Sequence, residues 1–353
     1  MAILGSASEY TCRLFDRYGR GGHYELEASQ VEWSRTLDDT SSASVVVPYG
    51  DPECCRVLSQ ARTWCQDLGL FRDSQLVWQG PVVEIAHDQG QTQLDARDVS
   101  QWLFRRVPRT LLDFTGPDAA DLSRIAEALV REGYSQDDPN VLAYLHVDDS
   151  GILAQKRYAP ESGYILDHLR EIARTGVDWT VIGHRLIITG EKPIARLHQL
   201  TDDDFLAGLR VREAGLSAVT SAIVLGQGVR AEAGGIGTCG LLEYLANEDH
   251  ILDQESAQAA AEALVDGGDP SPLILEVPDG SQLAPDAPVG IQELIPGVAV
   301  PIASVRTCRR VAAELRLTAV RVSWSEGSEG GEQVGVTLQP RGVPGQIQIE
   351  EAA

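Results

Sequence analysis

A chain of 353 residues exceeds one ordinary hydrophobic core, since domains typically hold about 100–150 residues, so two or three packed units are expected. Hydrophobic residues at 43% and charged residues at 23% describe a folded protein and argue against disorder. Fifty-two acidic residues against 29 basic ones leave a formal charge of −23, which disfavours broad attraction to nucleic-acid phosphates or to an anionic membrane.

The opening "MAILGSASEY" has no basic region and too short an apolar run for a signal peptide. No later stretch gives 18 uncharged apolar residues, so no membrane-spanning segment is expected, and synthesis in a cytoplasm is. Residues 1–105 read mainly as β-strands, with apolar side chains at every second position. In "VEWSRTLDDTSSASVVVP" (31–48), Val31, Trp33 and Leu37 share one strand face, and Val45 and Val47 share the matching face of the next. Asp38, Asp39, Thr40, Ser41 and Ser42 fall at the reversal, where short polar side chains cap backbone groups. A carboxylate and hydroxyl cluster also raises a metal or reactive site, yet the pattern places no histidine or second acidic ligand beside it. Farther on, Leu76 and Trp78 take one phase and Val83 and Ile85 the other, which predicts a bend at Gly80-Pro81.

From residue 106 the grammar becomes helical. "DAADLSRIAEALVREG" sets Leu122, Ile125, Ala126, Leu129 and Val130 at helical spacing, with an aspartate as N-cap and Gly133 as the stop. "SGYILDHLREIARTG" repeats it, with Ser162 as cap, Ile165, Leu166, Leu169, Ile172 and Ala173 as the stripe, and Gly176 as the stop. The hairpin "VDWTVIGHRLIIT" follows, so 106–199 reads as an α+β unit whose helices wall a core.

Strands resume at about residue 200, with "SAIVLGQGV" as a buried strand, and the helix "DQESAQAAAEALVDGG" interrupts them, closing on Gly267 and Gly268. Near the end, Val320, Val322 and Trp324 share parity with Val334, Val336 and Leu338, so "SEGSEGGE" between them reads as a flexible hairpin tip.

Chemistry-bearing motifs are weak. Gly235, Gly237 and Gly240 in "GIGTCG" satisfy the dinucleotide-binding spacing, and "LLEYLAN" after them looks helical, but no strand leads tightly into the loop and no alternating βαβ run surrounds it. Asp202, Asp203 and Asp204 are consecutive and lack the glycine and distal glutamate of a calcium loop, so a helix cap or solvated turn is expected. Neither the seven histidines nor the six cysteines (Cys12, Cys54, Cys55, Cys65, Cys239, Cys308) form a ligand pair at metal spacing, and free, mostly buried thiols are expected. Cys239 and His250 are the nearest approach to a nucleophile and base. No catalytic, cofactor-binding or metal-binding residue is assigned, and no cofactor.

The phrases "WSRTLDDTSSASVVVP", "LVWQGPVVEI", "LDARDVSQWLFRR", "YLANEDHILDQESAQAAAEAL", "LIPGVAVPI", "LRLTAVRVSW" and "EQVGVTLQPRG" run in order over about residues 10–342. Together they resemble the minor tail proteins of long-tailed phages infecting actinobacteria, of the tail-tip (baseplate) hub family. The resemblance implies a β-rich α+β chain with two curled-sheet, barrel-like β domains and α+β inserts. The corresponding division is a hub domain at 1–105, an α+β domain at 106–199, a second hub domain at 200–238 and 293–345, a helix-containing insert at 239–292 and a tail at 346–353. It further implies a non-enzymatic homotrimer in the virion, assembled in the host cytoplasm, adapting the hexameric tube to a threefold tip. Its neighbours would be a distal tail protein or tube, the tape-measure protein and other minor tail proteins. DNA would pass through unbound, eased by the acidic charge. Two alternatives are a tail-associated peptidoglycan hydrolase, suggested by the abundant carboxylates, and a receptor- or glycan-binding module using the "SEGSEGGE" tip. If 38–42 is hairpin chemistry, Asp38→Ala will weaken folding or assembly, read as a lower melting temperature.

Overall fold

A computed structural model describes residues 4, 9–18, 25–50, 52–190, 193–213, 215, 218–248, 254–268, 273–278, 280–308, 310–327 and 331–340. Strands β1 (Tyr10–Asp16), β2 (Glu25–Glu27), β3 (Gln30–Thr36) and β4 (Ser42–Pro48) come first, and β3 and β4 bury every second residue as their period requires. Helix α1 (Pro52–Gln60) then interrupts the strands that make up most of 1–105 and is not among the elements expected there. Its proline at the first position and Glu53 in the first turn are helix-start signals that strand alternation on either side overshadowed.

β5 (Gln66–Arg72), β6 (Gln75–Asp88) and β7 (Gln91–Arg97) follow. β6 pairs with β5 up to Pro81 and with β7 from Val82, with register shifts at Leu70/Phe71 and Val82/Glu84. The strand therefore changes partners where the phase break predicts a bend. Gly80 is required there by close approach: a Cβ would lie 2.0 Å from the Arg97 carbonyl oxygen.

The segment after the 3-10 helix Val99–Arg105 builds its own core. Short strands β8 (Leu112–Asp113) and β9 (Ala120–Asp121) lead to α2 (Leu122–Tyr134). β10 (His146–Val147), β11 (Leu153–Ala154) and β12 (Arg157–Tyr158) lead to α3 (Ile165–Ala173), and β13 (Val177–Ile182) with β14 (Arg185–Gly190) closes the layer. Leu122, Ile125, Leu129, Ile165, Leu169 and Ile172, the predicted stripes, are all buried against Trp179 and Ile188. Asp121 caps α2 by accepting from the Ser123 amide at 2.9 Å. Two cap assignments need correcting. α2 runs past Gly133 to Tyr134, and Gly133 is a packing residue, since a Cβ there would meet Leu103 Cδ2 at 2.6 Å and Ile165 Cδ1 at 3.0 Å. Tyr164, not Ser162, occupies the α3 N-cap, and the Ser162 hydroxyl lies 3.4 Å from His168 Nε2 instead.

β15 (Leu200–Thr201) precedes a group formed by β16 (Arg210–Glu213), β17 (Ser221–Leu225), β18 (Arg230–Gly234), β19 (Glu243–Asn247), α4 (Gln254–Gly268) and β20 (Leu273–Glu276). "LLEYLAN" is thus β19, pairing parallel with β17, and not a helix. The three-stranded order β18-β17-β19 gives Leu245 a sheet neighbour in Ile223, which helical periodicity could not anticipate. β21 (Ser281–Gln282), β22 (Ala299–Ser304), β23 (Val311–Ser325) and β24 (Glu332–Pro340) complete the chain, with Val320, Val322, Val334, Val336 and Leu338 buried as their shared parity predicts.

Strands from the first and last thirds join one twelve-stranded sheet of order β15-β22-β23-β3-β4-β7-β6-β5-β1-β2, with β24 on β23 and β21 on β24. This is a β-rich α+β fold, and among the described residues its ladder does not close into a barrel. The thirds read from sequence as two separate curled sheets are hydrogen-bonded to each other through β3 and β23. Two compact units result, one of 1–208, 277–302 and 314–339, the other of 209–276, 303–313 and 340–353. The boundary falls at 209 because α4 shares a small alanine-rich core with β17 and β18.

Gly80→Ala is expected to cost more than about 3 kcal/mol, because backbone must move. Gly50→Ala, with no atom within 4 Å of the added carbon, should stay within about 0.5 kcal/mol. Urea denaturation of the pair tests this.

Candidate functional site

The polar reversal between β3 and β4 is the best-connected cluster that the sequence singles out, and every connection is within the first unit. Asp38 sits at φ 60°, a left-handed conformation that aspartate tolerates better than most residues. Its amide donates to the Trp179 carbonyl at 2.8 Å, and its Oδ1 accepts from the Trp179 amide at 2.8 Å. The hairpin tip is thereby stapled to β13. Next to it, Arg316 donates to both oxygens of Asp178 at 2.7 Å. Asp39 accepts from Arg170 of α3 at 2.5 Å, and Thr40 Oγ1 lies 2.9 Å from Ser100 Oγ. The Ser41 amide donates to Asp98 Oδ2 at 2.5 Å, while Asp98 Oδ1 accepts from the Ser100 amide and hydroxyl at 2.8 and 2.6 Å. The Ser41 hydroxyl accepts from the Thr36 amide at 3.0 Å, and Ser42 and Ser34 bond across the hairpin.

Burial pushes the Asp38 carboxyl up to about 7. The Asp178 carboxylate adds to the rise, while the Trp179 amide and Arg316 oppose it. Asp98, fully enclosed, is pushed up to about 6 by burial against its serine donors. A second polar pair crosses the same junction: His184 Nε2 lies 2.7 Å from Asp67 Oδ2 and its Nδ1 lies 2.9 Å from the Pro139 carbonyl, so β5 is tied to the β13–β14 turn. Burial raises the Asp67 carboxyl against the opposing pull of His184. Because both ring nitrogens face oxygens, this imidazole has no nitrogen left to activate a hydroxyl or thiol.

The other candidates disperse. Gly237 and Gly240 bridge to each other in a tight turn between β18 and β19, so no helix N-terminus stands behind them to receive a phosphate. Asp202–Asp204 form one 3-10 turn in which Asp204 Oδ2 accepts from the Thr201 amide at 2.6 Å and hydroxyl at 3.0 Å, the expected cap. Cys239 is exposed, and its suggested partner His250 lies outside the described residues, as do 328–330 of the "SEGSEGGE" tip and the tail 346–353. Burial of the cysteines is overestimated by sequence. Cys12 is buried in β1 with its thiol pushed up to about 12 by burial. Cys54 is half-buried, and Cys55, Cys65, Cys239 and Cys308 are exposed because α1 and the loops carry them outward. Among the described residues no three histidine, cysteine, aspartate or glutamate side chains gather as a metal site, and no helix is long and apolar enough to cross a membrane.

Sequence reasoning missed two buried ion clusters. Arg35, on the inward face of β3, donates to the carbonyls of Val77 at 2.7 Å, Leu294 at 3.0 Å and Ile291 at 3.1 Å. Glu332, at the end of the acidic tip, is buried and accepts from Arg72 at 2.7 and 2.8 Å and from the Tyr10 hydroxyl at 2.5 Å. The parity of Arg35 with Val31, Trp33 and Leu37 is the signal that could have found the first. The parity of Glu332 with Val334, Val336 and Leu338 is the matching signal for the second.

No family model matches the chain, and no curated protein matches it by sequence. Its fold is shared with solved phage tail proteins. The prophage MuSo2 43 kDa tail protein from Shewanella oneidensis aligns over 94% of this chain and 98% of its own, with TM-score 0.59 and 13% identity. The tail protein from Neisseria meningitidis MC58 aligns over 94% and 96%, with TM-score 0.58 and 14% identity. The E. coli c3393 protein, a type VI secretion component described as structurally similar to the T4 tail proteins gp27 and gp5, aligns over 94% and 77%, with TM-score 0.51 and 11% identity.

The folded state holds protons on Asp38 and Asp98 more tightly than the unfolded chain. Stability from these two groups is therefore full below about pH 4 and is lost as pH rises through 6 to 7. Asp38→Asn keeps the acceptor and the tolerated backbone, so it should raise the melting temperature at pH 8, and the gain should vanish by pH 4. Asp38→Ala should lower it by the equivalent of about 1–3 kcal/mol at both. Scanning calorimetry at the two pH values checks all three chains.

Proposed function

We propose that this chain is a non-enzymatic structural protein of a phage tail, a trimeric tail-tip hub that joins the tube to a threefold tip. The observation that carries the reading is the fold, matched to a prophage tail protein across nearly the full length of both chains. The ordered phrases of the sequence lead to the same family and supply the finer assignment, a minor tail protein of actinobacterial long-tailed phages.

The chemistry of the candidate cluster favours a structural role. Asp38, Asp39 and Asp98 all accept hydrogen bonds that fasten the hairpin to the α+β layer, so their carboxylates serve folding. The formal charge of −23 suits a lumen that repels the DNA backbone and lets DNA or tape-measure protein pass without specific binding. Partners in this reading are further copies of the chain, a distal tail protein or tube, the tape-measure protein and other minor tail proteins, within the virion tail tip assembled in the host cytoplasm.

Light scattering of the chain co-expressed with its tube partner should return assemblies containing three times the 38.1 kDa chain mass, and electron microscopy of the particle should place them at the tip. Monomers that form no ring with the tube partner, or density elsewhere in the particle, would overturn the hub assignment. Zymography on host cell walls should give no clearing, whereas a hydrolase would clear the gel.

A further inference from the structure

We propose that the arginine and tryptophan cluster around Trp102 is a docking surface for an acidic segment of a partner protein. The cluster lies within the first unit, between the end of β1, the turn before β5 and the 3-10 helix Val99–Arg105. Trp64 packs edge-on to Trp102 with ring centroids 4.9 Å apart. The guanidinium carbons of Arg17 and Arg106 lie 5.4 and 5.5 Å from the Trp102 ring centre, and that of Arg105 lies 5.8 Å from Trp64. Trp64 takes φ 63°, a conformation bulky residues rarely adopt, and its amide is held by the Val82 carbonyl at 2.8 Å.

Donors outnumber acceptors at this place. Asp137 pairs with both Arg17 and Arg106, and Arg106 is further held by the Gly133 carbonyl at 2.8 Å. Arg105 is exposed and has no ion pair among the described residues. Arg17 Nε and Trp102 Nε1 are buried without any acceptor, although buried donors are almost always bonded. In a chain of charge −23, an exposed arginine without an ion pair, set beside two indoles, is a place that attracts a carboxylate. Tryptophan and arginine are also the residues that dominate binding energy at protein interfaces. A glutamate or aspartate laid on Arg105 would form a charge-assisted hydrogen bond beside Trp64. Duplex DNA fits poorly, because one uncommitted arginine neutralises too few phosphates to offset the repulsion of the whole chain. The inference does not depend on the trimeric hub reading.

The test is fluorescence anisotropy of the full chain with a fluorescein-labelled acetyl-octaglutamate peptide, and separately with labelled ten-residue oligothymidine, at low and moderate salt. Saturable peptide binding is expected, weakened at least tenfold by Arg105→Glu and by Trp64→Ala, and unchanged by Arg321→Glu, an exposed arginine elsewhere on the unit. Circular dichroism melts must show Arg105→Glu folded, which its exposure favours. Absence of saturable peptide binding at millimolar concentration, equal weakening by Arg321→Glu, or tighter oligothymidine binding that is lost with Arg105 would each overturn the proposal. Light scattering on the same samples reads the oligomeric state independently.

Discussion

The antiparallel ladder between β3 and β23 is the constraint on which the rest of the first unit depends. It pairs Gln30–Thr36 with Ala319–Ser325, so segments nearly the whole chain apart must meet before the large sheet exists. Such distant pairing carries the full loop-closure cost before any contact rewards it, and it makes the topology slow to form. Once formed, it brings β4 and β7 to one side of β3 and β22 and β24 to β23. The hairpin tip after β3 can then reach β13 only because β3 is anchored along its length.

One buried ion lies on this ladder and a buried pair lies off it. Arg35 lies within the β3 half of it, and its guanidinium, with three main-chain carbonyls as acceptors, cannot be satisfied by any other register of β3. A slip of one residue would place it outward and bring Ser34 or Thr36 into the core. Away from the ladder, the buried pair of Glu332 and Arg72 ties the start of β24 to the end of β5. Buried ion pairs are weak sources of net stability, but breaking one leaves an uncompensated charge, so these groups penalise wrong pairings more than they stabilise the right one. This is a physical reason for charged residues at inward positions of an otherwise apolar alternation.

What could be read from the sequence follows from the range of the interactions involved. The stripes of α2 and α3, the break at Gly80-Pro81 and the parity of β23 with β24 are local patterns, and each appears at its expected residues. β19 looks helical in sequence because Leu241, Leu242 and Leu245 fit a helical repeat, while the pairing of Ile223 with Leu245 that makes it a strand lies outside any short window. α1 is hard to read for the opposite reason: its start signals are local, but only Val57 and Leu58 of its nine residues are buried, so the stripe is too short to stand out between strands. Gly133 shows how one residue type supports two readings. Glycine at a helix end suggests a stop, whereas here its missing side chain makes room for Leu103 and Ile165.

The hairpin tip settles how a cluster of aspartates and serines should be weighed. A metal site needs carboxylate oxygens aimed together at one empty point, and a reactive site needs a base with a free nitrogen or oxygen. Here the Asp38 and Asp98 oxygens point at separate backbone amides on β13 and near β4, and Asp39 points at a guanidinium on α3. Divergent acceptors of this kind join three elements at one corner, and their raised proton affinity is the cost of enclosing them there. The same residues that look like chemistry in the sequence are therefore the means by which the α+β layer is fixed to the sheet.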